Sequence, residues 1–345
     1  MKASVVLSFY NEEDVLNELI SRLRAVFQDQ LRFSPQEYEL IFVNDRSKDR
    51  SLEILHEEAQ KFPDIRIINM SRNFGVSPCV MAGMEYASGE FVVYMDADLQ
   101  DPPELIPEMV RLFESERADV VHTRRLSREG ETRFKMGLTK LGYLILNRFS
   151  SIEIDRNVGD FKLLSRQAVK HLIQLREHRP FVRGMVKWVG FRQVFLNYNR
   201  EARFAGDTKF PVLSWRVISN FLDSALISFS DAPLKFALVS GFFVSVSSFF
   251  YLAVIVVMKV LGWSLPGWSA IMATMLVLGG IQLFTIGVLG LYINAIFVES
   301  KRRPRFIIEN TFGFSRDKLA PTWNEMSPHS KLDDDDDDRY REYSV

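Results

Sequence analysis

The stretch Tyr94-Met95-Asp96-Ala97-Asp98-Leu99-Gln100-Asp101-Pro102-Pro103 decides how this chain is read. A strand-like run over residues 90–95 ends in an acidic cluster, with Asp96 and Asp98 two residues apart. Side chains just past the carboxyl ends of strands in an open α/β sheet converge on the crevice where ligands bind. Two carboxylates and the Gln100 carboxamide are hard oxygen donors suited to Mg2+ or Mn2+, cations that usually also contact substrate phosphates. The implied substrate is a nucleoside diphosphate compound. A lone Asp-x-Asp reads first as a solvated turn before a helix with Pro at its first positions, so the rest of the chain carries the weight.

Outward from this stretch, β-rich runs at 4–9, 39–43, 65–69, 91–95 and 120–123 alternate with helical patterns at 12–27, 51–62, 76–87 and 103–115. Such alternation predicts an α/β domain with a mainly parallel sheet covered on both faces. A polar signal follows each of four strands: Asn11 and Glu12, Asn44 and Asp45, Arg72 and Asn73, then Asp96 and Asp98. Four such signals on one predicted edge describe a nucleotide-binding crevice. The sequence contains neither a Walker A motif nor Gly-x-Gly-x-x-Gly, which leaves a metal and basic side chains to hold the diphosphate.

With 345 residues the chain holds one sizeable domain and more. A net charge of −1 argues against a general nucleic-acid binder. The single cysteine, Cys79, excludes an internal disulfide and fits a reducing compartment. The amino-terminal residues read as a buried first strand rather than a signal sequence, so this part is expected in the cytoplasm.

Two long runs, 236–258 and 261–298, contain no charged residue. Roughly 20 apolar residues span a bilayer core, so these predict a two-helix hairpin turning around residues 261–268, with Trp263 and Trp268 at the interface. Lys301, Arg302, Arg303 and Arg305 follow the second helix, and by the positive-inside rule both ends of the hairpin face the cytoplasm. Ahead of it, residues 210–231 mix apolar residues with Arg216, Asp223 and Asp231 at helical spacing, fitting an amphipathic helix on the membrane or one packed on the first domain. The acidic block 333–338 predicts a disordered tail beyond about Asn310. The expected division is a domain over 1–210, a juxtamembrane helix over 211–232, a hairpin over 233–300 and a basic segment with an acidic tail over 301–345.

An ordered set of pieces now accumulates: Ser8-Phe9-Tyr10-Asn11-Glu12, Val43-Asn44-Asp45-Arg46-Ser47, Arg72-Asn73-Phe74-Gly75, the Asp96 stretch, Gly159-Asp160-Phe161, Arg179-Pro180-Phe181-Val182-Arg183-Gly184, Arg200 through Lys209, and Glu299 through Pro304. Over residues 3–308 this resembles the family 2 glycosyltransferases of GT-A (Rossmann-like) fold. Within them it is similar to the polyprenyl-phosphate group that includes dolichol-phosphate mannose synthase and the bactoprenol glucosyltransferases. The resemblance implies that Tyr10, Glu12, Asp45 and Asp96 surround the donor nucleotide-sugar. It also implies that Asp96, Asp98 and Gln100 hold Mg2+ or Mn2+, with Asp98 and Asp160 catalytic. Arg124, Arg125 and Arg128, with Arg200, Arg203 and Lys209, form a basic acceptor side suited to a lipid phosphate. The family usually has Gly-x-Ser-Lys where this chain has Gly206-Asp207-Thr208-Lys209, a departure that keeps the hydroxyl.

The implied reaction is attack by a polyprenyl-phosphate oxygen on an anomeric carbon, with inversion and departure of a nucleoside diphosphate. Asp160 matches the family's base position, yet a phosphate with second pKa near ~6 is already ionised at neutral pH. Asp160 is therefore expected to orient the acceptor or an arginine, Arg124 or Arg203. UDP-glucose is the leading donor and undecaprenyl phosphate the leading acceptor, at the cytoplasmic face of the inner membrane. Aminoarabinose, GlcNAc or mannose would use the same motifs. A saccharide acceptor lacks its usual Gln-x-x-Arg-Trp segment here, and a membrane-tethered nucleotide-sugar sensor would need no intact acidic set. A homo-tetramer is an expectation from the resemblance alone.

Overall fold

In the computed structural model, which describes residues 1–126, 157–175, 177–178, 180–199, 232–262 and 267–314, the fold is organised by strands buried along their whole length. Strand β1 (Ala3–Phe9) is buried at all seven positions, as is β2 (Tyr38–Asn44). Near-continuous Val, Leu, Ile and Phe is the composition of strands covered on both faces. They are joined by β3 (Ile65–Met70), β4 (Phe91–Asp96), β5 (Val120–Arg125), β6 (Val158–Ser165), β7 (Gln193–Tyr198) and β8 (Ile308–Phe312). The sheet order is β7-β5-β6-β4-β1-β2-β3-β8. Pairings β1–β2, β1–β4, β2–β3 and β5–β7 are parallel, whereas β6 and β8 run against their neighbours. The mainly parallel sheet of the sequence reading is thus present, with two reversed strands added.

The connecting helices are α1 (Leu16–Ala25), α2 (Ser51–Lys61), α3 (Val76–Tyr86), α4 (Ile106–Ser115), α5 (Arg166–Gln174) and α6 (Val182–Trp188). In α1 the buried residues are Leu16, Leu19, Ile20 and Leu23, the i, i+3, i+4, i+7 stripe of a helix with one face on a core. Its last turn loosens into a π-helical turn over Val26–Gln30. Alternate strand residues feed two layers. Val5, Leu7, Phe42, Val93, Met95 and Phe161 meet one apolar cluster, while Val6, Ile41, Val43, Val92, Tyr94 and Leu164 meet the other, where α3, α5 and α6 pack.

Two long helices follow, α7 (Ala232–Val260) and α8 (Trp268–Ser300). Leu234–Met258 and Val277–Ser300 are long and apolar enough to cross a membrane. Phe249 is 77% exposed and Leu283 72%, a surface that water does not tolerate over this length. The expected juxtamembrane helix over 211–232 lies, but for its last residue, outside the described residues, as does the acidic block.

The chain after α8 corrects one expectation. Rather than becoming disordered beyond Asn310, it adds β8 to the sheet, antiparallel to β3 through Ile67↔Phe312 and Asn69↔Asn310. Arg305 ties the approach down, donating to the Leu175 carbonyl at 2.9 Å, the Ile173 carbonyl at 3.2 Å and Glu85 at 2.9 Å. Phe314 meets Tyr86 edge-on, with ring centroids 5.1 Å apart. An open β3 edge offers unpaired backbone groups, and a short segment reaching it satisfies them.

Candidate active site

Because β1 to β5 share one direction, their carboxyl ends form a single rim, and the reversed β6 delivers its first residues to the same rim. Asp96 ends β4 opposite Ser8 of β1. On the other side Tyr94 pairs with Lys162 of antiparallel β6, and continuing that register sets Asp160 beside Asp96. Tyr94, Asp96, Lys162 and Asp160 alternate onto the sheet face covered by α6.

From the first turn of α6, Arg183 donates Nε to Asp160 Oδ1 at 2.7 Å and Nη2 to Oδ2 at 2.5 Å. This forked pairing is the strong geometry for guanidinium and carboxylate. Burial opposes charge on Asp160, but Arg183, then Lys162 and Arg125, outweigh it and hold the carboxyl well below the usual range. Lys162 is wholly buried, donates to the Gly159 carbonyl at 2.5 Å and lies 4.0 Å from Asp160 Oδ1. Burial draws its ammonium down to about 8, against the pull of Asp160. Asp96 behaves oppositely: removal from water, then repulsion by Asp160, Asp98 and Asp101, pushes it up to about 7, with Arg183 partly offsetting. Two neighbouring carboxylates are thus pushed in opposite directions.

Asp98 Oδ1 accepts the Gln100 N–H at 3.2 Å across Leu99, whose φ of 56° is left-handed. Among the described residues no three carboxylate, imidazole or thiol groups converge as a ready-made metal cage. The donor set still fits a hard cation. Asp96 and Asp98 offer two carboxylates, Gln100 a third oxygen, and Mg2+ commonly uses one or two carboxylates while keeping positions for phosphate oxygens. A divalent cation would offset both the lost hydration and the carboxylate crowding that raise Asp96.

Behind this rim lies a buried brace that the sequence reading missed. Asp101, 1% exposed, accepts from the Tyr198 hydroxyl and from Arg125 Nη2 at 3.3 and 3.4 Å, while Arg125 Nε donates to Tyr198 at 3.1 Å. A Cβ on Gly159 would fall 2.8 Å from Arg125 Nη2, so glycine here lets the guanidinium lie against the start of β6.

On the other half of the rim, Asp45 follows β2 and its carboxylate accepts the N–H groups of Phe74 at 2.6 Å and Gly75 at 2.9 Å. Gly75 has φ of 93°, a conformation that lets its amide turn toward Asp45. Burial raises the Asp45 pKa, and those two amides partly counter it. The Asp45 and Arg72–Gly75 pieces, far apart in sequence, are thus one constellation. Glu12 precedes α1 instead of lying in it: its N–H donates to Ser51 Oγ at 2.9 Å, and its carbonyl accepts from Val15 and Leu16. Tyr10 is half-buried in the same turn, after β1.

Of the basic residues, Arg124, next to last in β5, has its guanidinium carbon 4.2 Å from the Phe195 ring centroid. Arg128, Arg200, Arg203 and Lys209 lie outside the described residues. Among the described residues the arginine that holds Asp160 is Arg183 rather than the expected Arg124; the expectation for Arg203 falls outside them. The signal for Arg183 was present in the Phe181-Val182-Arg183-Gly184 piece, and Lys162, two residues after Asp160 in the same strand, was a second.

A family model described as "Glycosyl transferase family 2" matches residues 4–173. The uncharacterized glycosyltransferase YkcC of Bacillus subtilis is 41% identical over 92% of this chain and 96% of its own. The uncharacterized glycosyltransferase sll0501 of Synechocystis is 40% identical, covering 91% of this chain and 96% of its own. The bactoprenol glucosyl transferase of Shigella phage SfV is 37% identical over 90% of this chain and 99% of its own. With end-to-end similarity at this level, and with the acidic rim in the region that the family model matches, the chain belongs to glycosyl transferase family 2.

Proposed function

We propose that this protein transfers a hexose, with inversion, from a nucleoside diphosphate donor to a polyprenyl phosphate at the cytoplasmic face of a membrane. UDP-glucose and undecaprenyl phosphate are the leading pair. The observation that carries the reading is the adjacency of Asp96 and Asp160 on one rim, the second locked ionised against Arg183. Two exposed apolar helices supply a reason for a lipid acceptor, and a relative named bactoprenol glucosyl transferase supports the choice of lipid.

In this reading Tyr10, Glu12 and Asp45 receive the donor nucleoside, with Asp96 at the ribose or metal. Asp96, Asp98 and Gln100 would hold a divalent cation, which stabilises charge on the departing diphosphate when bound. Arg124, together with Arg128, Arg200, Arg203 and Lys209, binds the acceptor phosphate. That phosphate is ionised at neutral pH, so it needs no strong base. Asp160, kept ionised, fixes the Arg183 guanidinium and thereby the acceptor's approach. Two helices anchor the crevice at headgroup level, where the lipid phosphate lies.

The test uses purified full-length protein in detergent with undecaprenyl phosphate, Mg2+ or Mn2+, and a panel of UDP- and GDP-sugars. Lipid-linked sugar from one donor, abolished by EDTA and in Asp98→Ala, is the expected result. Donor binding without lipid product across the panel would overturn the acceptor assignment.

A further inference from the structure

A polar relay runs across the rim from the first strand to the last. The Asn11 N–H donates to Ser47 Oγ at 3.0 Å, and the Ser47 N–H donates to Asn44 Oδ1 at 2.9 Å. Asn44 Nδ2 donates to Asn69 Oδ1 at 3.1 Å, and Asn69 Nδ2 donates to Asn310 Oδ1 at 2.7 Å. Asn44 and Asn69 are buried, 3% and 5% exposed, so each carboxamide depends on the next for its partners. Beside them Arg46, at φ of 64°, pairs with Glu309. The Ser71 N–H donates to the Ile307 carbonyl at 2.9 Å, extending the attachment to the loop after β3.

The relay therefore ends on β8, contributed by the segment that leaves α8. Asp45 sits between Asn44 and Arg46, so both neighbours of the proposed nucleoside-contacting carboxylate are held from a strand more than two hundred residues later in the chain. The anchoring of that strand is independent of the donor loops, because Arg305 and Phe314 fix its two ends against α3 and the loop after α5.

We propose that Asn310 and Glu309 are positioning residues of the donor pocket: through Asn69 and Arg46 they set the conformation of the Asn44–Ser47 turn and hence donor affinity. This rests on the assignment of Asp45 to the donor nucleoside. Neither residue touches the reacting atoms, so the effect falls on KM for the nucleotide-sugar and leaves kcat nearly unchanged. Asn310→Leu removes the acceptor for Asn69 while keeping a strand-compatible side chain. Asn310→Asp retains an acceptor oxygen. Glu309→Gln removes the charge facing Arg46 at an exposed position, so it tests the relay even where Asn310→Leu fails to fold.

The experiment measures UDP binding by calorimetry and donor KM and kcat by lipid product, on full-length protein in detergent with Mg2+. The expected result for Asn310→Leu is UDP affinity weaker and donor KM higher by about three- to tenfold, the range of one hydrogen bond. kcat stays within about twofold, and Asn310→Asp recovers most of the loss. Glu309→Gln shows a smaller rise in KM in the same direction. Unchanged UDP affinity in both Asn310→Leu and Glu309→Gln, with wild-type binding intact, overturns the relay alone. Equal losses in kcat and kcat/KM without recovery in Asn310→Asp also overturn it, in favour of general destabilisation. Absence of UDP and GDP binding by the wild type itself overturns the donor-site assignment and the relay with it.

Discussion

Replacing Arg183 by Met strips Asp160 of both its forked hydrogen bonds and its nearest positive charge. Among the described residues the nearest remaining cation is Lys162, 4.0 Å away and itself drawn down by burial to about 8. Breaking a fully buried pair costs about 3–5 kcal/mol, and an exposed one about 0–1. With side chains 32% and 22% exposed, the Arg183–Asp160 pair lies between these limits, at about 2 kcal/mol. If that energy is spent on orientation in the transition state, the rate falls ~30-fold. The pH dependence separates this from simple damage. Wild-type Asp160 is ionised throughout the working range, so it contributes no acid limb to the rate. Without Arg183 burial is less opposed, the Asp160 pKa rises, and the variant loses rate as pH falls. The assay is kcat for lipid-linked product between pH 5.5 and 9 in wild type, Arg183→Met and Arg183→Lys, with Lys restoring charge but not the fork. An Arg183→Met protein with unchanged kcat and a profile parallel to wild type would refute the reasoning.

Three further outcomes follow from the same geometry. His122 is buried against Gln193, and desolvation followed by nearby cations draws its pKa down to about 3. Its neutral form therefore favours the fold above the unfolded value near ~6.5, and that stability is lost as pH falls toward 3. The loss is about 2 kcal/mol by pH 5, so His122→Gln should flatten the difference between urea titrations at pH 7.5 and 5. Asp101→Ala leaves Arg125 without its buried carboxylate, costing about 3 kcal/mol, and a thermal midpoint unchanged within a degree would contradict the brace. Arg305→Ala removes three hydrogen bonds that hold the segment after α8, for about 2 kcal/mol, and should quicken proteolysis within residues 301–314.

The acidic rim was legible because β-strand periodicity is local: apolar runs and the polar residues that end them are adjacent in the chain. The first five strands match their expected positions within two residues; the two long helices run from four residues before the first uncharged run to two residues past the second, with their turn in the expected 261–268 region. The start of α1 was read four residues early, because Glu12 looks like a favourable first-turn residue yet its amide is taken by Ser51. Strand β8 was missed because five residues of mixed polarity carry no strong alternation, and only the open edge of β3 makes them a strand.

What the sequence determined by itself is the parallel α/β frame, the rim carboxylates Asp96 and Asp98, and the two apolar helices, since each follows from burial patterns within a single element. Tertiary structure decided the partnerships. Asp160 meets Arg183 because antiparallel β6 brings its first residues to the rim and α6 covers that face. The turn around Asp45 meets Asn310 and Glu309 because β8 needs an edge and β3 has one. Pairings of this kind depend on strand order and direction, which are set by the closure of the whole core and are written in no single segment.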